Sequence, residues 1–211
     1  MNRTRIHIFS ILPVLLFTVF AFAQDSDLKK TTFKRIGIDR GLSQSCVEAI
    51  LQDTRGFMWF ATQDGLNCYD GHDFKVYKNN ITDKNSISSN FINCLYLGRS
   101  GLIWIGTKTG GLNSFDPQTG KFKTYRSDPD DLATLSNNNV SSIYEDRNNK
   151  LWVGTEGGGL DVLDLNTDLF DKDKIKFQKY NSTALSSNIV TAICEDKEGR
   201  LWVGTVNGLC I

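Results

Sequence analysis

Few side chains in this chain could do chemistry. Beyond the first 23 residues there is one histidine, His72, within Asp70-Gly71-His72-Asp73. A metal site, a nucleophilic triad or a phosphoacceptor needs partner ligands or a helical setting that this stretch lacks, so it reads as a turn. The cysteines Cys46, Cys68, Cys94, Cys194 and Cys210 are an odd set with no C-x-x-C. That fits neither a complete disulfide framework nor a zinc site, and buried structural thiols are expected. Glu145-Asp146 and Glu195-Asp196 could imitate a glycosidase's two carboxylates, but each pair ends the same repeated segment, and a structural use is expected. Thr107-Lys108-Thr109-Gly110-Gly111 and Glu156-Gly157-Gly158-Gly159 are glycine-rich, yet they join strand to strand and miss the pattern G-x-x-x-x-G-K-[ST]. Ser127-Asp128-Pro129-Asp130-Asp131 lacks the central glycine and closing glutamate of a calcium loop. These residues assign no catalytic group, metal or cofactor. The chemistry that remains is binding, and its candidates are Gln63, Asp64, Lys108, Thr109, Glu156 and Asn207, polar residues that change from place to place within a constant frame.

That frame is an internal repeat. Trp59, Trp104, Trp152 and Trp202 are spaced by 45, 48 and 50 residues, each in one phrase: Met58-Trp59-Phe60-Ala61-Thr62, Ile103-Trp104-Ile105-Gly106-Thr107, Leu151-Trp152-Val153-Gly154-Thr155 and Leu201-Trp202-Val203-Gly204-Thr205. Short apolar runs bounded by turn residues read as strands buried on both faces. Ahead of each lies a period-2 segment beginning at Val47, Ile92, Val140 or Val190, with a small residue (Ala49, Cys94, Ser142, Ala192) that suits crowding near a central axis. Four-residue turns join the two, closed by Gly56, Gly101, Asn149 and Gly199, residue types that tolerate positive φ. A third strand opens at Gly65-Leu66, Gly111-Leu112, Gly159-Leu160 and Gly208-Leu209, and a fourth is marked by Phe74/Tyr77, Phe122/Tyr125 and Phe177/Tyr180. Four strands per unit of this length is the period of a β-propeller blade. The sequence therefore predicts an all-β, partial β-propeller of about three and a half four-stranded blades over residues 33–211, with repeats at about 42–79, 87–127, 135–182 and 185–211. The candidate binding residues then sit on loops joining second to third strands, at one end of the blades.

The N-terminus reads as an address. Arg3 and Arg5 precede an apolar run from Ile8 to Ala23 that is short for a membrane span, and Ala21-Phe22-Ala23 has the small-x-small form of a cleavage site. Residues 1–23 are expected to be a signal peptide and 24–32 a linker, which places the protein in a bacterial periplasm. Without the signal, 22 basic against 24 acidic residues leave a charge of about −2 with no basic block. This argues against a nucleic-acid partner. Phe33-Lys34-Arg35-Ile36 reads as an outermost strand lent to a last blade. The sequence stops at Ile211 inside a third strand, so a fragment or truncated reading frame is expected, with remaining blades elsewhere and uncovered faces prone to aggregation.

Gly41-Leu42-Ser43, Val47 to Asp53 with Gly56, Trp59 to Thr62, Gly65 to Gly71, Phe74 to Tyr77 and Asn85-Ser86-Ile87-Ser88 together resemble the two-component regulator propeller repeats of Bacteroidetes hybrid two-component sensors. The resemblance implies a periplasmic sensor region, anchored in the inner membrane by later parts of a full-length protein, with an oligosaccharide as ligand and room for a homodimer. Histidine kinase activity in that family belongs to domains absent from this chain, so no enzyme activity is assigned to it. A structural or protein-interaction propeller and a secreted polysaccharide lyase are the alternatives.

Overall fold

The computed structural model describes residues 32–169 and 171–211. The expected signal peptide and nearly all of the expected linker lie outside them. One compact unit runs from Ile36 to Ile211. Apart from two short 3-10 turns, Ile38–Arg40 and Lys172–Lys174, its regular structure is all β. Blade 1 is β1 (Val47–Gln52), β2 (Met58–Thr62), β3 (Gly65–Tyr69) and β4 (Phe74–Tyr77); blade 2 is β5 (Ile92–Leu97), β6 (Ile103–Thr107), β7 (Leu112–Asp116) and β8 (Lys121–Tyr125). Blade 3 is β9 (Val140–Glu145), β10 (Lys150–Thr155), β11 (Gly159–Asp164) and β12 (Phe177–Tyr180), and a three-stranded sheet of β13 (Val190–Glu195), β14 (Leu201–Thr205) and β15 (Gly208–Cys210) follows. Every sheet is an antiparallel meander in sequence order. Phe33 to Ile36 carry no strand. The pairing that would make a strand of them has no counterpart among the described sheets.

First strands contact first strands in series, β1 with β5, β5 with β9 and β9 with β13, while each second strand touches the first strand of the next blade. This is the packing of wedges about an axis, sheet face on sheet face. Core clusters fill the gaps between blades. Trp59, Leu66, Ile92, Ile103 and Phe115 join blades 1 and 2, whereas Trp104, Leu112, Val140, Leu151 and Phe177 join blades 2 and 3.

The recurrent small residues serve a blade-to-blade approach rather than the axis alone. Cys94 pairs across the ladder with Gly106 and Ser142 with Gly154. A Cβ on Gly106 would lie 2.4 Å from Cys94 Sγ and 2.6 Å from Val140 Cγ1 of the next blade. Gly154 meets Ser142 Oγ at 2.3 Å and Val190 Cγ1 at 2.6 Å in the same way. Gly154→Ala must therefore push blade 3 from β13, and overpacking of this kind costs about 1–3 kcal/mol. Urea unfolding should show a lowered midpoint at unchanged m; an unaltered midpoint would mean that the blades are not in contact there.

The turn between first and second strands is built round an aspartate. Asp53 Oδ1 accepts the backbone N–H groups of Arg55 and Phe57 at 2.9 and 3.0 Å, and Oδ2 accepts Trp59 Nε1 at 3.1 Å. Asp146 and Asp196 hold Trp152 and Trp202 at 2.8 Å each. Blade 2 has Gly98 at this position, and Trp104 Nε1 is buried without an acceptor. Gly56, Gly101, Asn149 and Gly199 close these turns at φ of 90°, 85°, 59° and 86°.

Candidate functional site

In blades 2 and 3 and in the last sheet, the first residue after the second strand is tied back to the residue ahead of the first strand. Lys108 N donates to Phe91 O at 3.0 Å, Glu156 N to Asn139 O at 2.9 Å and Val206 N to Ile189 O at 3.1 Å. Because first strands are innermost, this connection brings Lys108 and Glu156 to the axial mouth. The sequence-predicted residues thus separate. Gln63, Lys108 and Glu156 lie on the axial side, while Asp64, Thr109 and Asn207 lie outward along the hairpin. Asp64 pairs with Lys78 at 2.6 Å, Thr109 Oγ1 meets Ser89 Oγ at 3.2 Å, and Asn207 Nδ2 donates to Ser186 O at 3.2 Å.

Sequence reasoning missed the residues that complete the axial side. The ladder slips between Val47 and Ala49, Ile92 and Cys94, and Val190 and Ala192, with the same irregularity in blade 3. A bulge re-aims the extra residue, here Glu48, Asn93, Ser141 or Thr191. Asn93 Nδ2 donates to Asn139 Oδ1 and Val140 O of blade 3 at 3.0 and 2.9 Å, and Ser141 Oγ donates to Val190 O of the next sheet at 2.6 Å. Blade 1 differs: exposed Glu48 takes hydrogen bonds from Gln63 Nε2 at 2.8 Å and Cys46 Sγ at 3.3 Å. The Gln63 bond, the Cys46 bond and the positive charge of Lys108 hold the Glu48 carboxyl below its ordinary range. Lys108 Nζ also lies 4.6 Å from the centre of the Phe91 ring, and Asn139 Nδ2 donates to Glu156 Oε2 at 2.7 Å. The signal that could have found this set is the polar residue after the first valine or isoleucine of every unit. The mouth combines alternating charge, amide groups and an aromatic ring, which suits a neutral hydroxyl-rich ligand better than a polyanion.

Below the mouth, each linker entering a blade is pinned by a polar residue of the third strand. Asn67 Oδ1 accepts Ser43 N at 2.9 Å and Asn113 Oδ1 accepts Ser88 N at 3.1 Å, while both side-chain amides donate to the same serine's Oγ. Asp161 Oδ2 accepts Ser136 N and Oγ at 2.9 and 2.7 Å, and Cys210 Sγ takes this place for Ser186. Glu145 and Glu195 serve structure: Glu145 accepts Arg99 N and Nε, and Glu195 accepts Arg147 N and pairs with its guanidinium, each across a blade boundary. His72 donates its backbone N–H to Asp70 at 2.8 Å in a turn.

The cysteines correct the expectation of buried thiols. Cys46 and Cys194 are exposed, because Cys46 precedes β1 in a loop and the face of β13 bearing Cys194 has no covering sheet among the described residues. Cys94 is only half-buried as a residue, but its sulfur lies against Gly106, and desolvation pushes the thiol up to about 12. Iodoacetamide at pH 8 should label Cys46 and Cys194 in the folded protein and reach Cys94 only after unfolding. Equal labelling of all three, read by peptide mass spectrometry, would contradict this packing.

The two-component regulator propeller profile matches residues 41–64, 86–109, 134–157 and 184–207, one stretch in each sheet. The chain carries four two-component regulator propeller repeats. Each match runs from the linker through the second strand to the rim residues, so the repeat includes the mouth. The propeller superposes on the extracellular domain of the hybrid two component system BT3049 from B. thetaiotaomicron with a TM-score of 0.74 at 35% identity, over 83% of this chain and 24% of that one. The extracellular domain of BT4673 from the same organism gives 0.68 at 27% identity, over 82% and 24%. A stretch of 78 residues, 37% of the chain, is 44% identical to histidine kinase P4 of Formosa agariphila, of which it spans 6%. The chain thus covers a quarter or less of these relatives. Likeness to virginiamycin B lyase from Staphylococcus aureus, TM-score 0.55 at 16% identity, shows the fold alone.

Proposed function

We propose that this propeller is part of an exported sensor region of a two-component signalling protein and that its axial mouth recognises an oligosaccharide. The observation that carries the reading is the convergence of Gln63, Lys108 and Glu156 with Glu48, Asn93 and Asn139 on one end of a scaffold otherwise repeated from blade to blade. Likeness to extracellular domains of hybrid two component systems supports the signalling context. No helix among the described residues is long and apolar enough to cross a membrane; a membrane anchor and the kinase belong to the proposal for the whole protein. Binding favours one arrangement of the blades around the sugar, and that preference is what a downstream domain reads. Calorimetric titration of the full-length sensor region with glycan oligosaccharides tests this. Saturable heat supports the reading, and neither heat nor a shift in melting for any sugar would favour an interaction propeller instead.

A further inference from the structure

Blades 1 and 2 each carry a groove on the flank formed by their outer strands. The groove of blade 2 measures about 530 Å3, that of blade 1 about 320 Å3. They are the same groove in successive repeats. Ladder register puts Phe57, Cys68, Asp70, Phe74, Lys75 and Tyr77 where blade 2 has Leu102, Ser114, Asp116, Phe122, Lys123 and Tyr125. Even the lysines match in pose, with Lys75 Nζ 4.8 Å from the Tyr77 ring centre and Lys123 Nζ 5.5 Å from that of Tyr125.

The two grooves differ in what lies against them. Between β11 and β12 the connection is long, and it brings Leu169 onto the blade 2 groove, where the side chain joins the core cluster and the carbonyl accepts Lys123 Nζ. The β7–β8 connection facing blade 1 is only Pro117 to Gly120. It contributes Pro117 to the rim, where its carbonyl accepts Arg55 Nη1 at 3.4 Å. The chain itself therefore shows the occupant this groove is shaped for: a turn-forming segment, in which Asp168 O accepts Asp171 N, with an aliphatic side chain and a backbone carbonyl.

We propose that the blade 1 groove docks a turn-forming segment of a partner protein, seating a leucine-like side chain against Phe57 and Tyr77 and a main-chain carbonyl on Lys75 Nζ. Specificity comes from charge. Asp73 stands where blade 2 has Lys121, so in this groove, which Arg55 and Lys75 also line, the change of charge favours a basic residue next to the leucine. Side-chain pockets with a main-chain anchor are a general mode of peptide capture.

Cys68 provides a reporter confined to this groove, since blade 2 has Ser114 at its place. The probe is a synthetic peptide copying residues 165–175 with Asp168→Lys, added to the folded protein during alkylation by iodoacetamide. Cys68 labelling should slow at least fivefold at saturation, while the same peptide with Leu169→Ala should give no protection. Lys75→Glu should weaken binding at least tenfold by fluorescence anisotropy without changing the urea midpoint. Equal labelling with and without peptide would overturn the proposal. So would protection by oligosaccharides instead, or self-association of the protein abolished by Lys75→Glu, which would make the occupant a sugar or a second copy.

Discussion

Replacing Asp161 by asparagine is expected to raise the unfolding free energy by about 3 kcal/mol at pH 8 and to leave it almost unchanged at pH 4. Asp161 is fully enclosed, and burial is the dominant cause that pushes its carboxyl up to about 6 from an ordinary 3.8; the two Ser136 bonds and the positive charge of Lys179, opposite it on β12, only partly offset this. Its Oδ1 has no hydrogen-bond donor. At the same place in blade 1, Asn67 Nδ2 donates to Ser43 Oγ at 2.8 Å and to Gly65 O at 3.2 Å. A carboxylate cannot donate, but a neutral acid or an amide can. Because the folded state holds the proton more tightly than the unfolded state, Asp161 weakens the fold as pH rises from about 4 to about 6, and the full cost persists above that window. Other carboxylates have the opposite sign: Asp53, Asp70, Asp116 and Asp196 are lowered, so their contribution is lost as pH falls. The difference between Asp161→Asn and the parent, by urea unfolding across pH, isolates the one group. A difference independent of pH would contradict the assignment.

The second large effect concerns the indoles. Trp59→Ala should cost about 3–5 kcal/mol, the range for emptying a buried aromatic site. The ring is 1% exposed and packs on Tyr77 of its own blade and Phe115 of the next, with centroids 5.9 and 5.3 Å away. Its loss therefore loosens two blades at once. Phenylalanine variants separate packing from hydrogen bonding. Trp152→Phe orphans Asp146 Oδ2 and should cost about 1–3 kcal/mol more than a packing change alone, whereas Trp104→Phe removes an N–H that has no acceptor and gains back its desolvation cost. Thermal unfolding should rank Trp104→Phe well above Trp152→Phe in stability. Equal losses would show that the aspartates do not hold the indoles.

These contrasts show where the sequence was legible. Tryptophans at a nearly constant interval, with glycine or asparagine closing the turn before them, are local signals, and each maps to a local structure. The bond from Asp53 to Trp59 was legible in principle as a recurring six-residue offset that fails only at Gly98. Asp161 looked like one alternating residue of a strand. Its burial depends on a linker 25 residues earlier folding over it, which no local pattern records. Glu48, Asn93 and Ser141 were hidden because a bulge changes which way a residue points without changing its type. Leu169 lies in a polar stretch between two strands, and only the adjacent blade gives it an apolar surface to bury.

The claim that the axial mouth recognises a sugar is tested most directly by calorimetric titration of the Lys108→Ala/Glu156→Ala variant with an oligosaccharide that binds the parent. Affinity should fall at least tenfold while the urea midpoint stays within error, since both side chains are exposed. An unchanged Kd would place the ligand elsewhere and remove the basis for reading the mouth as the site.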